Sequence, residues 1–204
     1  MRKLVTNTFL TLDGVMQAPG GPGEDDAGGF THGGWSVHYW DDVMGRVMGE
    51  TMATPADLLL GRRTYEIFAA HWPRVTDDPT ADTLNAARKY VASRTLERAD
   101  WNNSTLIRDV PTGVAELKAQ DGPEIQVHGS SDLIQTLLRH DLIDELRVLI
   151  FPVVLGRGKR LFGDGAVPGS LSLVTSTVST TGVIMATYRR AGAIAYGSFA
   201  LDAA

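Results

Sequence analysis

The sequence predicts an α/β protein with a mixed, mostly parallel central sheet and antiparallel strands toward its C-terminus. In the first two thirds of the chain, apolar runs typical of strands alternate with helical patterns, which is the order of βαβ units. After Asp144 the helical patterns stop, and strand patterns follow one another across Gly-containing turns, as in hairpins. Its 204 residues, 43% apolar and 21% charged, predict a single globular domain over residues 1–204.

The N-terminal part is predicted as alternating strands and helices. β-Branched and aromatic residues indicate a first strand over Leu4–Leu10, and a loop rich in Gly, Pro and Asp follows over Asp13–Gly34. Ser36 is suited to cap a helix that extends to about Met52. The remaining elements of this part are strands over 56–60, 90–92 and 106–107, helices over 62–70, 81–89 and 112–120, and a strand that leads directly into a helix within 124–140.

The C-terminal third is predicted to be antiparallel and to support a homodimer. Its apolar residues exceed what one buried sheet face needs, so a second copy of the chain is expected to cover part of this region. A helix covering the second face is the alternative. The strand patterns lie at 145–154, 170–178, 183–189 and 194–201, and the apolar residues are Val183, Ile184, Met185, Ala186, Ile194, Tyr196, Phe199 and Leu201.

Charge and composition exclude several classes of partner. The formal net charge of -5 and the pI near 5.5 argue against nucleic-acid binding, which needs clustered Lys and Arg. The chain has no cysteine, and its five histidines lack the spacing of metal ligands, so no metal is expected. No apolar run approaches the length of a membrane span. The expected partner is a small molecule, and the expected location is cytoplasmic.

Three strand ends carry groups that suit an anion. Gly61, Arg62, Arg63 and Thr64 follow one predicted strand, Ser93, Arg94 and Thr95 follow another, and Gly129, Ser130 and Ser131 follow a third. Ligands of open α/β sheets bind at such carboxyl ends, where helix N-termini and guanidinium groups attract phosphate. Each segment alone is also explained by a capped helix or an ordinary turn. Their recurrence favours a phosphate-bearing ligand.

Several familiar site motifs are missing from the sequence. There is no GxGxxG dinucleotide fingerprint after an early strand, no mononucleotide P-loop, no HExxH zinc motif and no GxSxG nucleophile elbow. A nucleotide would therefore bind through an arrangement other than the Rossmann type.

The order of five segments resembles the dihydrofolate reductase-like superfamily, and within it the riboflavin-biosynthesis reductase type (RibD C-terminal domain). The resemblance implies a three-layer fold with helices on both faces of the sheet, and reduction of a small heterocyclic or carbonyl substrate with NADPH. The segments are TLDG at 11–14, GRRTYE at 61–66, VASRT at 91–95, VHGSSDLIQTLL at 127–138 and LIDELRVLIFPVVLGRGKRLF at 142–162.

The resemblance also implies a set of NADPH contacts. Ser93 and Arg94 look like the contacts to the adenosine-side phosphate, and Gly129, Ser130 and Ser131 look like the pyrophosphate turn. The nicotinamide is expected near the end of the first strand, under a loop that could act as a lid. The remaining expected cofactor contacts are Leu12, Asp13, Gly14, Gly61, Arg62, Arg63, Thr64 and Leu133.

Substrate and proton-transfer residues are expected nearby. Asp41 or Asp42 could donate a proton through water, although a carboxylate in the first turn of a helix needs no catalytic explanation. Folate reductases carry an acidic residue five positions after a Trp, where this chain has Trp40, so folate specificity is not expected. The candidates for contact with a planar substrate are Met16, Trp35, Tyr39, Tyr65 and Trp72, with core packing as the alternative.

Two functions are compatible with these features. The first is an NADPH-dependent reductase, because hydride transfer needs positioning and exclusion of water more than a conspicuous acid and base. The second is a non-catalytic nucleotide-binding or sensory protein that keeps the phosphate-binding segments on the same fold.

Overall fold

The computed structural model describes residues 1–163 and 166–199, which contain one eight-stranded sheet of order β4-β3-β2-β5-β1-β6-β8-β7. The six strands from β4 to β6 in this order run parallel, while β8 and β7 run antiparallel to their neighbours. The strands are β1 (Leu4–Thr11), β2 (Ala56–Gly61), β3 (Lys89–Ala92), β4 (Ser104–Ile107), β5 (Glu124–His128), β6 (Glu145–Phe151), β7 (Leu171–Val178) and β8 (Ile184–Arg190).

Helices cover both faces of this sheet, which makes the three layers that the sequence predicts. On one face, Val114 of α4 and Ile134 of α5 pack against Leu4 of β1 and Val127 of β5. The other face is covered by α1, α2 and α3. The helices are α1 (Asp42–Ala53), α2 (Arg62–His71), α3 (Pro79–Ala86), α4 (Val110–Ala119) and α5 (Ser131–Arg139), with short 3-10 turns at Ala27–Gly29, Val37–Tyr39 and Trp72–Arg74.

The central position of β1 follows from its sequence. LVTNTFLT is largely buried along its length, and β1 lies between the parallel strands β5 and β6. A parallel strand covered by helices on both faces is expected to have this composition. Because β2, β3, β5 and β1 are parallel, their carboxyl ends lie along one edge of the sheet. The three anion-suited segments of the sequence therefore meet at that edge.

Most elements lie within a few residues of their predicted bounds, and the exceptions have local causes. The helix expected from Ser36 begins only at Asp42, because Trp40 is extended and the Asp41 carboxylate caps the helix by accepting from the Met44 amide. The helix expected over 81–89 ends at Ala86, since Ala87 is not helical and Lys89 belongs to β3. Residues 191–199 form no strand, and the rest of the strand expected over 194–201 lies outside the described residues.

A buried lysine lies under the α3 side of the sheet. Lys89 has no exposed surface, its ammonium group lies 4.1 Å from the centre of the Trp101 ring, and it donates to the Asn85 carbonyl at 2.6 Å. Burial lowers the pKa of Lys89 to about 8, because the charged form loses its hydration. The folded protein therefore releases this proton at a lower pH than the unfolded chain does.

Because of Lys89, the free energy of unfolding is expected to be larger in mildly alkaline solution than near neutral pH. Between the folded pKa of about 8 and the unfolded value of 10.5, the unfolded chain binds more protons, so stability rises with pH. From pH 7.5 to 9.5 the gain attributable to Lys89 should be about 2 kcal/mol. Urea unfolding of the wild type and of Lys89→Met at both pH values measures it. The prediction is contradicted if the two proteins respond to pH in parallel.

Candidate functional site

A cleft of about 1450 Å³ opens along the carboxyl ends of the parallel strands. It extends from the ends of β3 and β4, past the starts of α2 and α5, to the groove between α1 and α2. Guanidinium groups and backbone amides are concentrated at the first end, and apolar side chains line the groove. The cleft thus has an anion-suited half and an apolar half.

Ser130 joins the two strand–helix junctions at the centre of the cleft. Its hydroxyl accepts from the Gly61 amide at 2.9 Å and donates to Thr64 Oγ1 at 2.8 Å. Ser130 adopts the left-handed conformation (φ 67°, ψ 60°), and Gly129 before it also has a positive φ of 55°. Because this hydroxyl makes the cross-link, it does not cap α5, and α2 starts at a glycine. Neither helix start is capped by a side chain.

Guanidinium groups surround these helix starts. Arg62 donates to Thr95 Oγ1 at 2.9 Å and pairs with Glu66 at 2.7 Å. Arg94 is exposed at the end of β3, and Arg108, at the end of β4, donates to the Ser93 carbonyl at 2.9 Å. All of these residues line the cleft. Their guanidinium groups and the helix N-termini are suited to phosphate groups, while Glu66, Asp109 and Asp132 add carboxylates to the same part of the cleft.

Arg63 connects α2 to the loop after β1. It lies 3.9 Å from the Asp25 carboxylate and 3.6 Å from that of Asp26. Asp25 is buried and pairs with Lys159 at 2.6 Å, while Gln17 donates to the Asp25 carbonyl at 3.0 Å. The loop is therefore held by ion pairs along the rim of the cleft, and Arg63 contacts loop carboxylates in this arrangement.

The apolar half is a groove between α1 and α2. The cleft-facing positions of α1 recur every three to four residues, as one helical face does, and they are uncharged. From β1, Phe9 contributes its ring, which lies 6.5 Å from that of Trp40. The other residues of this groove are Gly45, Met48, Gly49, Met52, Ile67, Phe68, Trp72 and Leu84.

Twelve of the predicted site residues line the cleft. They include every cofactor residue expected at the starts of α2 and α5 and at the end of β3, together with two of the expected substrate contacts. The twelve are Gly61, Arg62, Arg63, Thr64, Ser93, Arg94, Gly129, Ser130, Ser131, Leu133, Met16 and Trp72.

The predicted cofactor contacts Leu12, Asp13 and Gly14 do not line the cleft. The Asp13 carboxylate accepts from Thr11 Oγ1 at 2.5 Å and from the Gly156 amide at 2.8 Å. These hydrogen bonds, that from Thr11 first, lower the pKa of Asp13 to about 2. Through Asp13, this segment joins the loop after β1 to the turn at Leu155 and Gly156.

Asp41 and Asp42, the expected proton donors, also lie outside the cleft lining. Asp41 accepts from the Met44 amide at 2.8 Å, and from the amide and hydroxyl of Thr180 at 2.7 and 2.6 Å. The Thr180 hydroxyl is the main cause of a lowered pKa at Asp41. Asp42 is exposed in the first turn of α1. Asp41 therefore caps α1 and connects it to the turn before β8.

Three aromatic residues expected to contact substrate are packed elsewhere. Trp35 is buried, donates to the Gln17 carbonyl at 2.7 Å and packs edge-on against Phe151. Tyr39 packs against the same ring from another side. Tyr65 is buried on the opposite side of α2, where its hydroxyl accepts from the Trp101 amide at 2.8 Å. The core-packing alternative accounts for all three.

Several residues that line the cleft are not among those predicted from the sequence. Arg108 follows a predicted strand, so the reasoning applied to the other strand ends would have found it. Asn7 is a polar residue inside the apolar strand β1, which is a signal of a buried site. His128 ends β5 directly before Gly129 and contacts the Phe68 ring. Only the tertiary structure shows that Asn7 and His128 lie side by side.

Residues 1–163 and 166–199 contain no candidate metal cluster and no candidate membrane-spanning helix. Their acidic and histidine side chains form no cluster of three that could hold a metal ion. None of their helices combines the length and the apolar character that crossing a bilayer requires.

Comparison with known families agrees with this geometry. The family model of the RibD C-terminal domain matches residues 2–185. The chain belongs to the RibD C-terminal domain family. This is a family of NADPH-dependent reductases with a dihydrofolate reductase-like fold. The matched residues include every segment that surrounds the cleft.

Two relatives come from Bacillus subtilis (strain 168). The uncharacterized protein YyaP is 31% identical over 192 residues, which are 92% of this chain and 94% of YyaP. The uncharacterized protein YwjB is 28% identical over 165 residues, which are 79% of this chain and 83% of YwjB. Neither name carries an activity, so the reaction must be argued from the site.

Solved structures share the fold. A pyrimidine reductase-like protein from Corynebacterium diphtheriae has a TM-score of 0.60 at 12% identity, with 93% of this chain and 92% of that chain covered. Dihydrofolate reductase from Enterococcus faecalis, complexed with NADP(H) and RAB-propyl, has a TM-score of 0.58 at 14% identity, with 93% and 96% covered. At these identities the likeness establishes the architecture alone.

The Ser130 cross-link is expected to stabilise the fold measurably. Ser130→Ala removes both hydrogen bonds and keeps the unfavourable left-handed conformation, so the free energy of unfolding should fall by about 2 kcal/mol. Ser130→Gly loses the same bonds but adopts this conformation without strain, and should be about 1 kcal/mol more stable than the Ala variant. Urea unfolding of the three proteins measures both differences. Equal stability of Ser130→Ala and the wild type would refute the cross-link.

Proposed function

We propose that the protein is an NADPH-dependent oxidoreductase that reduces a small heterocyclic or carbonyl substrate by hydride transfer in the cleft. The observation that carries this proposal is the pairing of two uncapped helix starts by Ser130, with Arg62, Arg94 and Arg108 around them. Membership of a family of NADPH-dependent reductases supports the same reaction class. A cytoplasmic location is part of the proposal.

The residues of the cleft fit a pyridine dinucleotide. The amides at the starts of α2 and α5 would hold the pyrophosphate, and Ser93, Arg94 and Arg108 would hold the adenosine-side phosphate.

Bound NADPH supplies the hydride, so the tasks left to the protein are orientation and exclusion of water. Met16 is buried at the cleft wall, and the loop that carries it is fastened by the ion pairs of Asp25. Trp40, half-exposed at the mouth of the groove, and Phe9 beneath it can cover a planar ring. Asp41 and Asp42 play no part in this account.

The contribution of Arg94 gives a direct test of the cofactor. Arg94→Ala should weaken NADPH binding about tenfold or more and leave NADH binding unchanged, because a charge-assisted hydrogen bond to the extra phosphate is lost. Fluorescence titration with both dinucleotides measures this. The matched control is Arg98→Ala, since Arg98 is exposed, pairs with Asp100 and lies outside the cleft. Equal losses in the two variants would contradict the assignment of Arg94.

Turnover separates the reductase from a non-catalytic binding protein. NADPH oxidation is followed at saturating cofactor with panels of pteridines, pyrimidines, quinones and small carbonyl compounds. Oxidation that depends on one of these classes supports the proposal. NADPH binding without turnover of any class favours the nucleotide-binding or sensory alternative, and failure to bind NADPH rejects both.

We also propose that the protein forms a homodimer through β7. All eight residues of β7 are exposed, and among residues 1–163 and 166–199 this edge strand pairs with β8 alone. Leu173 is 55% exposed, Val178 is 61% exposed, and Ile184 beside it in β8 is 41% exposed. A long apolar edge strand is a ready template for pairing with another chain. A second copy covering this surface would protect it.

Leu173→Glu is expected to convert the dimer to a monomer. The substitution places a charge in the middle of the exposed strand, where pairing of two copies would desolvate it. Sedimentation velocity over a range of protein concentrations measures the assembly state. The control Thr105→Glu changes an exposed residue of β4, at the opposite edge of the sheet. A wild-type protein that stays monomeric at every concentration would refute the dimer.

A further inference from the structure

Five polar side chains form one hydrogen-bonded row beneath the apolar groove. They lie on three adjacent strands: Arg147 on β6, Asn7 on β1, and Glu124, Gln126 and His128 on β5. Arg147 donates to both carboxylate oxygens of Glu124, at 2.8 and 3.0 Å. Gln126 Nε2 donates to Glu124 at 2.7 Å, and Gln126 Oε1 lies 3.0 Å from Asn7 Nδ2 and 3.1 Å from His128 Nε2.

The ion pair of Glu124 and Arg147 at one end of this row fixes the orientation of the other groups in it. Glu124, paired with Arg147, only accepts hydrogen bonds, so Gln126 must present its NH2 group to Glu124. The carbonyl oxygen of Gln126 therefore faces Asn7 and His128, and it too only accepts. Asn7 must then turn its NH2 group, and His128 a protonated Nε2, toward Gln126.

Two acceptor atoms are left over, Asn7 Oδ1 and His128 Nδ1. Neither has a hydrogen-bond partner among residues 1–163 and 166–199, and neither is among the unpaired atoms sealed from solvent there. Asn7 and His128 are direct neighbours across β1 and β5, and both line the cleft. Burial, and to a lesser degree the charge of Arg147, lower the pKa of His128 to about 4, so its ring is neutral at physiological pH.

The α1 wall above these acceptors carries no charge. Gly45, Met48, Gly49 and Met52 face the groove from α1, and Phe68 of α2 lies 6.1 Å from the His128 ring. The one cation of the row, Arg147, is already paired with Glu124. A phosphate or carboxylate placed here would meet two lone pairs and an apolar wall, which disfavours it. A flat ring with N–H groups on one edge would satisfy both acceptors.

We infer that Asn7 and His128 determine substrate specificity by accepting hydrogen bonds from adjacent N–H groups on the edge of an uncharged, planar ring that carries no phosphate. Gln126, Glu124 and Arg147 act as positioning residues that hold the two acceptors in this orientation. The inference rests on the proposed function, because it assigns the apolar half of the cleft to the substrate.

The test uses two pairs of ring probes that differ only in N–H groups. Isocytosine, whose ring N3–H and 2-amino group are adjacent donors, is compared with its N3-methyl, 2-dimethylamino derivative, and 2-aminoquinazolin-4(3H)-one with its corresponding derivative, by titration of the protein alone and of the protein saturated with NADP⁺. At least one N–H probe should bind about tenfold or more tightly than its methylated partner, which corresponds to one to two neutral hydrogen bonds. If neither N–H probe is preferred, or neither binds, the inference is overturned.

Variants identify the residues responsible for the preference. His128→Phe and Asn7→Leu should each reduce the affinity of the N–H probe about five- to tenfold and leave that of the methylated probe within twofold. The NADPH affinity should stay unchanged. Equal losses for both probes would show that the two residues only shape the pocket, and would overturn the inference.

A spectroscopic measurement on the wild-type protein covers the case in which a variant does not fold. The ¹⁵N shifts of the His128 ring should show protonated Nε2 and unprotonated Nδ1, and Nδ1 should shift when the N–H probe binds. Exposed His140 serves as the control ring and should not respond. Protonation of Nδ1 instead would overturn the inference. If NADP⁺ fails to bind while the N–H probe is still preferred, the proposed reductase function is rejected. The role of Asn7 and His128 as hydrogen-bond acceptors is then still supported.

Discussion

The cleft depends on one hydroxyl group that joins two helix starts. β2 and β5 are parallel neighbours, so α2 and α5 begin side by side, and Ser130 bridges them by contacting the Gly61 amide and Thr64. Reaching both partners requires the left-handed conformation, which costs a residue other than Gly about 1–2 kcal/mol. In this arrangement neither helix start is capped, so the backbone amides there remain available to bind an anion.

The two halves of the cleft differ in charge, although both lie at the same edge of the sheet. At one end, exposed guanidinium groups keep their water when no ligand is present, so they remain available to phosphate. At the other end, a partly buried ion pair between Arg147 and Glu124 holds neutral amide and imidazole groups in place. A partly exposed pair contributes little to stability, so orientation is its main role. Under the proposed function, this contrast would place a charged dinucleotide in one half of the cleft and an uncharged ring in the other.

The sequence predicted the anion-suited half better than the apolar half for a physical reason. The segments around Arg62, Ser93 and Gly129 each follow a strand, and parallel strands bring their carboxyl ends together whatever the details of packing. No comparable rule predicts from the sequence which way the aromatic side chains face. Trp35 and Tyr65 face the core, where they contact Gln17 and Trp101. Asp41 caps α1 because Trp40 before it is extended. Such choices depend on contacts distant in sequence.

By itself, the sequence determined the alternation of strands and helices, the change to antiparallel pairing after Asp144 and the family of the chain. These features follow from local periodicity and from motifs whose residues are neighbours in the chain. Only the tertiary structure decided that Asn7, His128 and Arg147 share one row across three strands. Strand order and register are set by packing between segments more than a hundred residues apart, so a polar row of this kind is not visible in any single segment.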